Sequence, residues 1–147
     1  MARLYAMPGH LIRRAHQIAG GIFAADVAAF GITPVQYAAL TAIRAYPGID
    51  ATRLSRTVAF DKSTLGLVLE RLEARGLVRR EAGPSDRRTK RLELTPEGAQ
   101  LLAAADPAVA GSEERILDPL TAPERAALLR LLGALVSGHA ASEPGVA

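Results

Sequence analysis

The chain has 147 residues, 49% hydrophobic but only 4% aromatic, with no cysteine or tryptophan and a formal charge of +3. The apolar share is enough for one compact domain, and Ala and Leu in place of aromatics point to a mostly helical one. Disulfides, thiol nucleophiles, Cys-based zinc sites and thiol redox sensing within the chain are excluded. No apolar run approaches the roughly 20 residues of a membrane span and no signal-peptide core is visible, so the expected location is the cytoplasm.

In chain order, Pro8-Gly9 precedes apolar residues at Leu11, Ile12, Ala15, Ile18, Ala19, Ile22 and Phe23. This spacing predicts a long amphipathic helix that Gly31 ends. Thr33-Pro34-Val35-Gln36 supplies an N-cap, a first-turn proline and a capping-box glutamine for a helix running to about Tyr46, which Pro47-Gly48 breaks. Asp50 caps a short helix over 51–58. Asp61 caps another, whose buried stripe is Leu65, Val68, Leu69 and Leu72 and whose C′ residue is Gly76. LVRREAG and RLELT alternate like two strands around a turn at Gly83-Pro84-Ser85. Thr95-Pro96-Glu97 opens a long Ala/Leu helix with a kink at Asp106-Pro107. Thr121-Ala122-Pro123-Glu124 is a further capping box, leading into Leu128, Leu129, Leu131, Leu132 and Leu135, and the tail SEPGVA is expected to fray.

The order helix, turn, helix, strand, basic loop, strand over residues 50–95 is that of a winged helix-turn-helix, which sets one helix in a major groove and a loop beside it. The expected fold is mainly α with a small β-hairpin wing. Residues 51–95 hold eleven Lys/Arg against six Asp/Glu, a net +5, and the remainder holds seven against nine, a net −2. A basic middle between slightly acidic ends suits a face for a polyanion, although an ordinary solvated face has the same signature. The long first and last helices lie outside the small winged core. Their apolar faces are met most economically by a symmetric dimer through the two chain ends, the alternative being that they pack on each other within the monomer.

At DKSTLGLVLERLEARGLVRR, followed by Asp86-x-Arg88-x5-Leu94-Thr95-Pro96-x-Gly98, the sequence resembles the MarR family of bacterial transcriptional regulators. The resemblance covers essentially the whole chain, with Asp86-Arg87-Arg88 and Leu94-Thr95 its most specific part. It implies a single domain over 1–147, with a DNA-binding lobe at 33–95 and dimerisation helices at 8–31 and 96–141. It also implies a homodimer on a pseudo-palindromic operator, usually repressing until a small aromatic acid loosens it.

On a helical wheel, Ser63, Leu67, Glu70 and Ala74 point away from the core stripe, flanked by Thr64, Gly66 and Arg71. The first turn of such a helix reaches base edges, which makes Lys62, Ser63 and Thr64 the leading candidates. The chain departs from the common family pattern at Leu67, where a polar or basic residue is frequent. An outward leucine packs on a thymine methyl with Gly66 letting the backbone come close, or is simply a tolerated surface residue. In the wing, Arg87, Arg88 and Lys90 are expected on DNA, Arg88 matching the family's wing arginine. Asp86 is expected to orient an arginine. Arg53 and Arg56 on the preceding helix are candidates for phosphates.

For an effector, His10, Arg14 and Gln17 fall within about 60° on the first helix and suit an anionic aromatic carboxylate, unless that stripe is solvated surface. Tyr37 is either a stacking wall or a core tyrosine. No metal site is expected, since His10 and His16 point about 120° apart and no Cys is available. No cofactor is expected either, and no nucleophile motif or glycine-rich phosphate loop suggests an enzyme. The competing function is an architectural DNA binder without an effector, against which the low net charge argues.

Overall fold

The computed structural model describes residues 2–82 and 90–140. In chain order it contains α1 (Ala2–Tyr5), α2 (Pro8–Asp26), α3 (Pro34–Ala45), β1 (Ile49–Asp50), α4 (Ala51–Val58), α5 (Lys62–Ala74), β2 (Val78–Ala82), β3 (Lys90–Leu94), α6 (Pro96–Leu117) and α7 (Ala122–Ala140). The predicted wing strands are present, and β1 joins them to form an antiparallel sheet in the order β1-β3-β2. Ile49 pairs with Leu92, and Leu92 pairs on its other side with Arg80. Two residues between a Pro-Gly break and a helix carry too little alternation to announce a strand, and β1 exists only because β3 offers it a free edge. Asp86, Arg87 and Arg88, with the Gly83-Pro84-Ser85 turn, lie outside the described residues, as does the SEPGVA tail.

The predicted caps hold. Thr33 Oγ1 accepts from the Gln36 amide at 3.2 Å while Gln36 Oε1 accepts from the Thr33 amide at 3.0 Å, a reciprocal capping box. Asp50 and Asp61 accept from the amides of Arg53 and Thr64. Gly76 follows α5 at φ +68°, as its place as C′ requires. At Thr121 only half the box forms, Glu124 accepting from both the Thr121 amide and its hydroxyl. The turn between α4 and α5 is made by Ala59 at φ +54°, a conformation that non-glycine residues rarely adopt.

Two elements differ from expectation. The first long helix stops at Asp26, and a 3-10 turn over Ala28–Phe30 separates it from Gly31. Tertiary burial is the reason. Val27 and Ile32 drop into a core cluster with Phe23, Ala105 and Val109, which a straight continuation of the helix would not allow. Val68 is only half-buried, whereas Leu65, Leu69 and Leu72 are sealed. Pro107 sits inside α6, which runs on to Leu117.

The main core cluster gathers Leu40 and Ile43 of α3, Leu54 of α4, Leu65, Leu69 and Leu72 of α5, Leu92 of β3 and Leu102 of α6. Each such leucine contributes about 1.5–3 kcal/mol on burial, so α5 is fixed by its inner face and its outer face is left to solvent. Tyr37 and Leu101 pack against both clusters and tie the winged lobe to the α2–α6 pair. By contrast, none of the described side chains of α7 is buried, and its Leu129, Leu131, Leu132, Leu135 and Val136 are exposed.

Candidate nucleic-acid interface

Basic residues of the winged lobe fall into two groups. Arg80 pairs with Glu73 at 2.8 Å, and Arg79 with Glu93 at 2.6 Å and Glu81 at 3.1 Å. Arg75 donates to the carbonyls of Gly31 at 2.6 Å and Phe30 at 3.2 Å, clasping the α2–α3 connection to the end of α5. The second group is Arg53 and Arg56 on α4, Lys62 and Arg71 on α5, and Lys90 and Arg91 on β3. These side chains are exposed and have no carboxylate partner among the described residues. With the charges of Arg79 and Arg80 matched by carboxylates and the donors of Arg75 taken by carbonyls, the remaining cations mark the face with charge to offer a polyanion.

That face is grooved. A cleft of about 480 Å³ between β3 and the start of α4 is lined by Asp50, Thr52, Arg53, Arg80 and Lys90. A smaller one of about 120 Å³ adjoins it at Thr52 and Arg80 and reaches Lys62 and Gly66 of α5. The expected DNA residues Arg53, Lys62 and Lys90 therefore line one continuous depression. Ser63 and Leu67 stand on the outward ridge of α5, and Arg56 and Arg71 are exposed on α4 and α5.

Thr64, a candidate for base edges, turns both its donors to the cap of its own helix. Its hydroxyl donates to Asp61 Oδ2 at 2.6 Å and its amide to Oδ1 at 2.8 Å. That hydroxyl bond, followed by the amide bonds, holds the Asp61 carboxyl below its ordinary range, so the hydroxyl's proton is committed to the helix cap.

The four expected effector residues are not brought together within one protomer. His10, Arg14 and Gln17 share a face of α2, where Arg14 donates to Gln17 Oε1 at 3.1 Å and Arg13 lies 3.2 Å from His10 Nδ1. Tyr37 is on α3 and its phenol donates to Asp106 Oδ1 at 2.9 Å. Burial first, then the Asp106 carboxylate, raises the Tyr37 pKa. The ring standing against His10 is that of Tyr5, edge-on at 5.5 Å. Sequence reasoning passed over Tyr5 because the short helix α1 that presents it has no pattern of its own. Opposite the His10 stripe, α2 lines a separate apolar groove of about 500 Å³ with Leu11, Ile12 and Ala15, closed by Ile116 of α6 and Leu128 and Leu132 of α7.

A second polar joint lies between α3 and α6. Asp106 Oδ2 takes Arg44 at 2.7 Å, and this bond is the main cause that holds the Asp106 carboxyl below its ordinary range. Among the described residues no group of three His, Cys, Asp or Glu is placed to hold a metal ion, and no helix is long and apolar enough to cross a membrane.

A capped helix pair, an antiparallel strand pair beside it and a shared face of cations without carboxylate partners among the described residues define a winged-helix DNA-binding protein. Residues 32–90 match the MarR family. The HTH-type transcriptional repressor NicR of Pseudomonas putida is 36% identical over 128 residues, 87% of this chain and 81% of NicR. The chain belongs to the MarR family of transcriptional regulators. Its fold is similar to that of the transcriptional repressor CouR bound to a 23-mer DNA duplex, with 34% identity, a TM-score of 0.87 and 92% and 96% of the two chains covered. It is also similar to BpsR of Bordetella bronchiseptica, whose DNA binding is regulated by 6-hydroxynicotinic acid, with 30% identity, a TM-score of 0.85 and 89% and 94% covered.

Proposed function

We propose that this protein is a ligand-responsive repressor that binds a pseudo-palindromic DNA operator as a homodimer and releases it when a small aromatic acid binds. The observation that carries the reading is the sorting of cations on the winged lobe: Arg79 and Arg80 are paired with carboxylates, whereas Arg53, Lys62 and Lys90, which line the α4–α5–β3 depression, have no carboxylate partner among the described residues. Residues 33–95 act as the DNA-binding lobe, and 8–31 with 96–141 as the dimerisation helices. The place of work is the cytoplasm, on the nucleoid. Lys62 and Ser63 meet base edges, while Arg53, Arg56, Arg71 and Lys90 hold phosphates, with Arg87 and Arg88 acting from the wing.

For the effector, Arg14 binds the carboxylate, His10 and Gln17 fix it, and Tyr5 offers an aromatic edge beside them. Tyr37 acts from α3 through its bond to Asp106. Support comes from CouR on its duplex and from BpsR with its aromatic acid. Release requires the acid to favour the lobe spacing that does not fit DNA, and a preference of about 1–3 kcal/mol lowers operator affinity 5- to 150-fold.

The test is fluorescence anisotropy on DNA upstream of the protein's own gene, titrated with 6-hydroxynicotinate, salicylate and 4-hydroxybenzoate. Arg14→Ala is expected to bind that DNA within about twofold of wild type and to lose the response to the acid that releases the wild-type protein. Loss of DNA binding together with the response would make Arg14 structural. Binding of all sequences alike, with no response to any acid, would favour an architectural role.

A further inference from the structure

We propose that Gly66 and Leu67 form an apolar notch on α5 that reads the 5-methyl group of one thymine in each half-site, an assignment that rests on α5 entering the major groove. Leu67 is 57% exposed, whereas Leu65, Leu69 and Leu72 of the same helix are sealed in the core. It is not part of the lobe's core. One turn before it, the Thr64 hydroxyl is already donated to Asp61. Beyond Lys62 and Ser63, the next outward position of α5 has no hydrogen-bonding group to offer.

Gly66 supplies the second observation. Glycine is the least favourable helix residue apart from proline, so Gly66 costs α5 some stability. A Cβ added there would meet nothing within 4 Å, as is also true at Gly20, Gly21 and Gly111. Gly66 also lies in the small cleft beside Lys62. That place sets Gly66 apart from the other helical glycines: a bare backbone beside Lys62 lets the groove edge approach and sets Leu67 down among the bases.

The chemistry selects the base. In the major groove thymine alone presents a methyl group, while guanine, adenine and cytosine present donors and acceptors at the corresponding edge. A leucine laid over the purine N7 and its neighbouring exocyclic group strips their water and returns no hydrogen bond, which disfavours guanine and adenine, while cytosine offers only a C–H where thymine has the methyl.

The experiment uses the full-length protein and an operator duplex that it selects from a randomised pool. Each thymine is replaced in turn by deoxyuridine, which removes only the methyl group. One thymine per half-site is expected to weaken wild-type binding by about fourfold when replaced, the effect of one methyl group's transfer from water. Replacing both symmetric thymines should weaken binding about fifteenfold. Leu67→Ala is expected to bind thymine and deoxyuridine operators alike. Gly66→Ala is expected to melt at a higher temperature and yet bind the selected operator more weakly. The proposal is overturned if no deoxyuridine affects wild-type binding, if Leu67→Ala keeps the thymine preference, or if Gly66→Ala binds the operator as well as wild type does. Failure to select any duplex from the pool removes site-specific DNA binding itself, and the proposal falls with it.

Discussion

Gly98 shows at the residue scale what the Leu94-Thr95-Pro96-x-Gly98 spacing is for. The Thr95 hydroxyl donates to the Gly76 carbonyl at 2.6 Å and accepts from the Gly98 amide at 3.0 Å, while the Thr95 amide donates to the Leu77 carbonyl at 3.1 Å. The start of α6 is thereby drawn onto the end of α5, and a Cβ at Gly98 would lie 2.0 Å from the Leu77 carbonyl oxygen. Backbone cannot step aside as a flexible side chain does. Gly98→Ala is expected to destabilise by about 1–3 kcal/mol, toward the upper end, seen as a lower urea midpoint at unchanged slope. Gly111→Ala in the same helix meets nothing within 4 Å and should gain up to about 1 kcal/mol. Equal effects at the two positions would contradict the clamp. The spacing was legible in the sequence, but its cause was not, because a close backbone approach leaves no mark except the glycine.

At the scale of elements, the joint between α3 and α6 is set by Asp106, one residue before Pro107. Proline has no amide to donate to the Ala103 carbonyl, so α6 lacks one of its own bonds where it meets α3. Arg44 and Tyr37 hold it there from outside. The Asp106 carboxyl sits below its ordinary range, so its contribution is fully present above the unfolded carboxylate pKa of about 3.9 and is lost as pH falls through the lower folded value. Side chains exposed to 43% and 37% limit the Arg44–Asp106 pair to at most about 1 kcal/mol. The stability gap between wild type and Asp106→Asn, read from urea titrations, should be constant from about pH 5 to 7 and close below about pH 4. A gap that widens in acid would refute the assignment. The Asp-Pro pair was visible as a helix irregularity, but its partners, 62 and 69 residues away in the chain, were not.

For the whole molecule, α7 is the element that a single protomer leaves incomplete. It is 19 residues long with none of its described side chains buried, and Arg125 ties it to Glu114 of α6 and to Asp118 just after that helix. Each of its half-exposed leucines stands to gain about 1 kcal/mol when covered, and a second copy of the chain is the proposed cover. Introducing Leu129→Glu and Leu132→Glu together should give a folded monomer in sedimentation at micromolar concentration. Operator affinity should fall by about 10²- to 10⁴-fold, the loss of linked binding at two half-sites about 34–36 Å apart. A double variant that stays dimeric, or a monomer that keeps wild-type affinity, would contradict the arrangement.

The capped helices over 34–45, 51–58 and 62–74, the wing strands and the outward face of α5 were all determined by local sequence. They rest on short-range physics: a side-chain oxygen three residues from the amide it caps, an apolar period of 3.6, an alternation of two. Long-range geometry was decided only by the tertiary structure. Burial of Val27 and Ile32 ended α2 early, a free edge on β3 made β1, and the positions of Glu73, Glu93 and two carbonyls sorted identical arginines into paired and unpaired. The same is true of Tyr37, whose partner on α6 turned it toward the α3–α6 joint and left Tyr5 beside His10. An arginine's or tyrosine's role depends on what faces it across the fold, and that is information the residue's own neighbourhood in the chain does not contain.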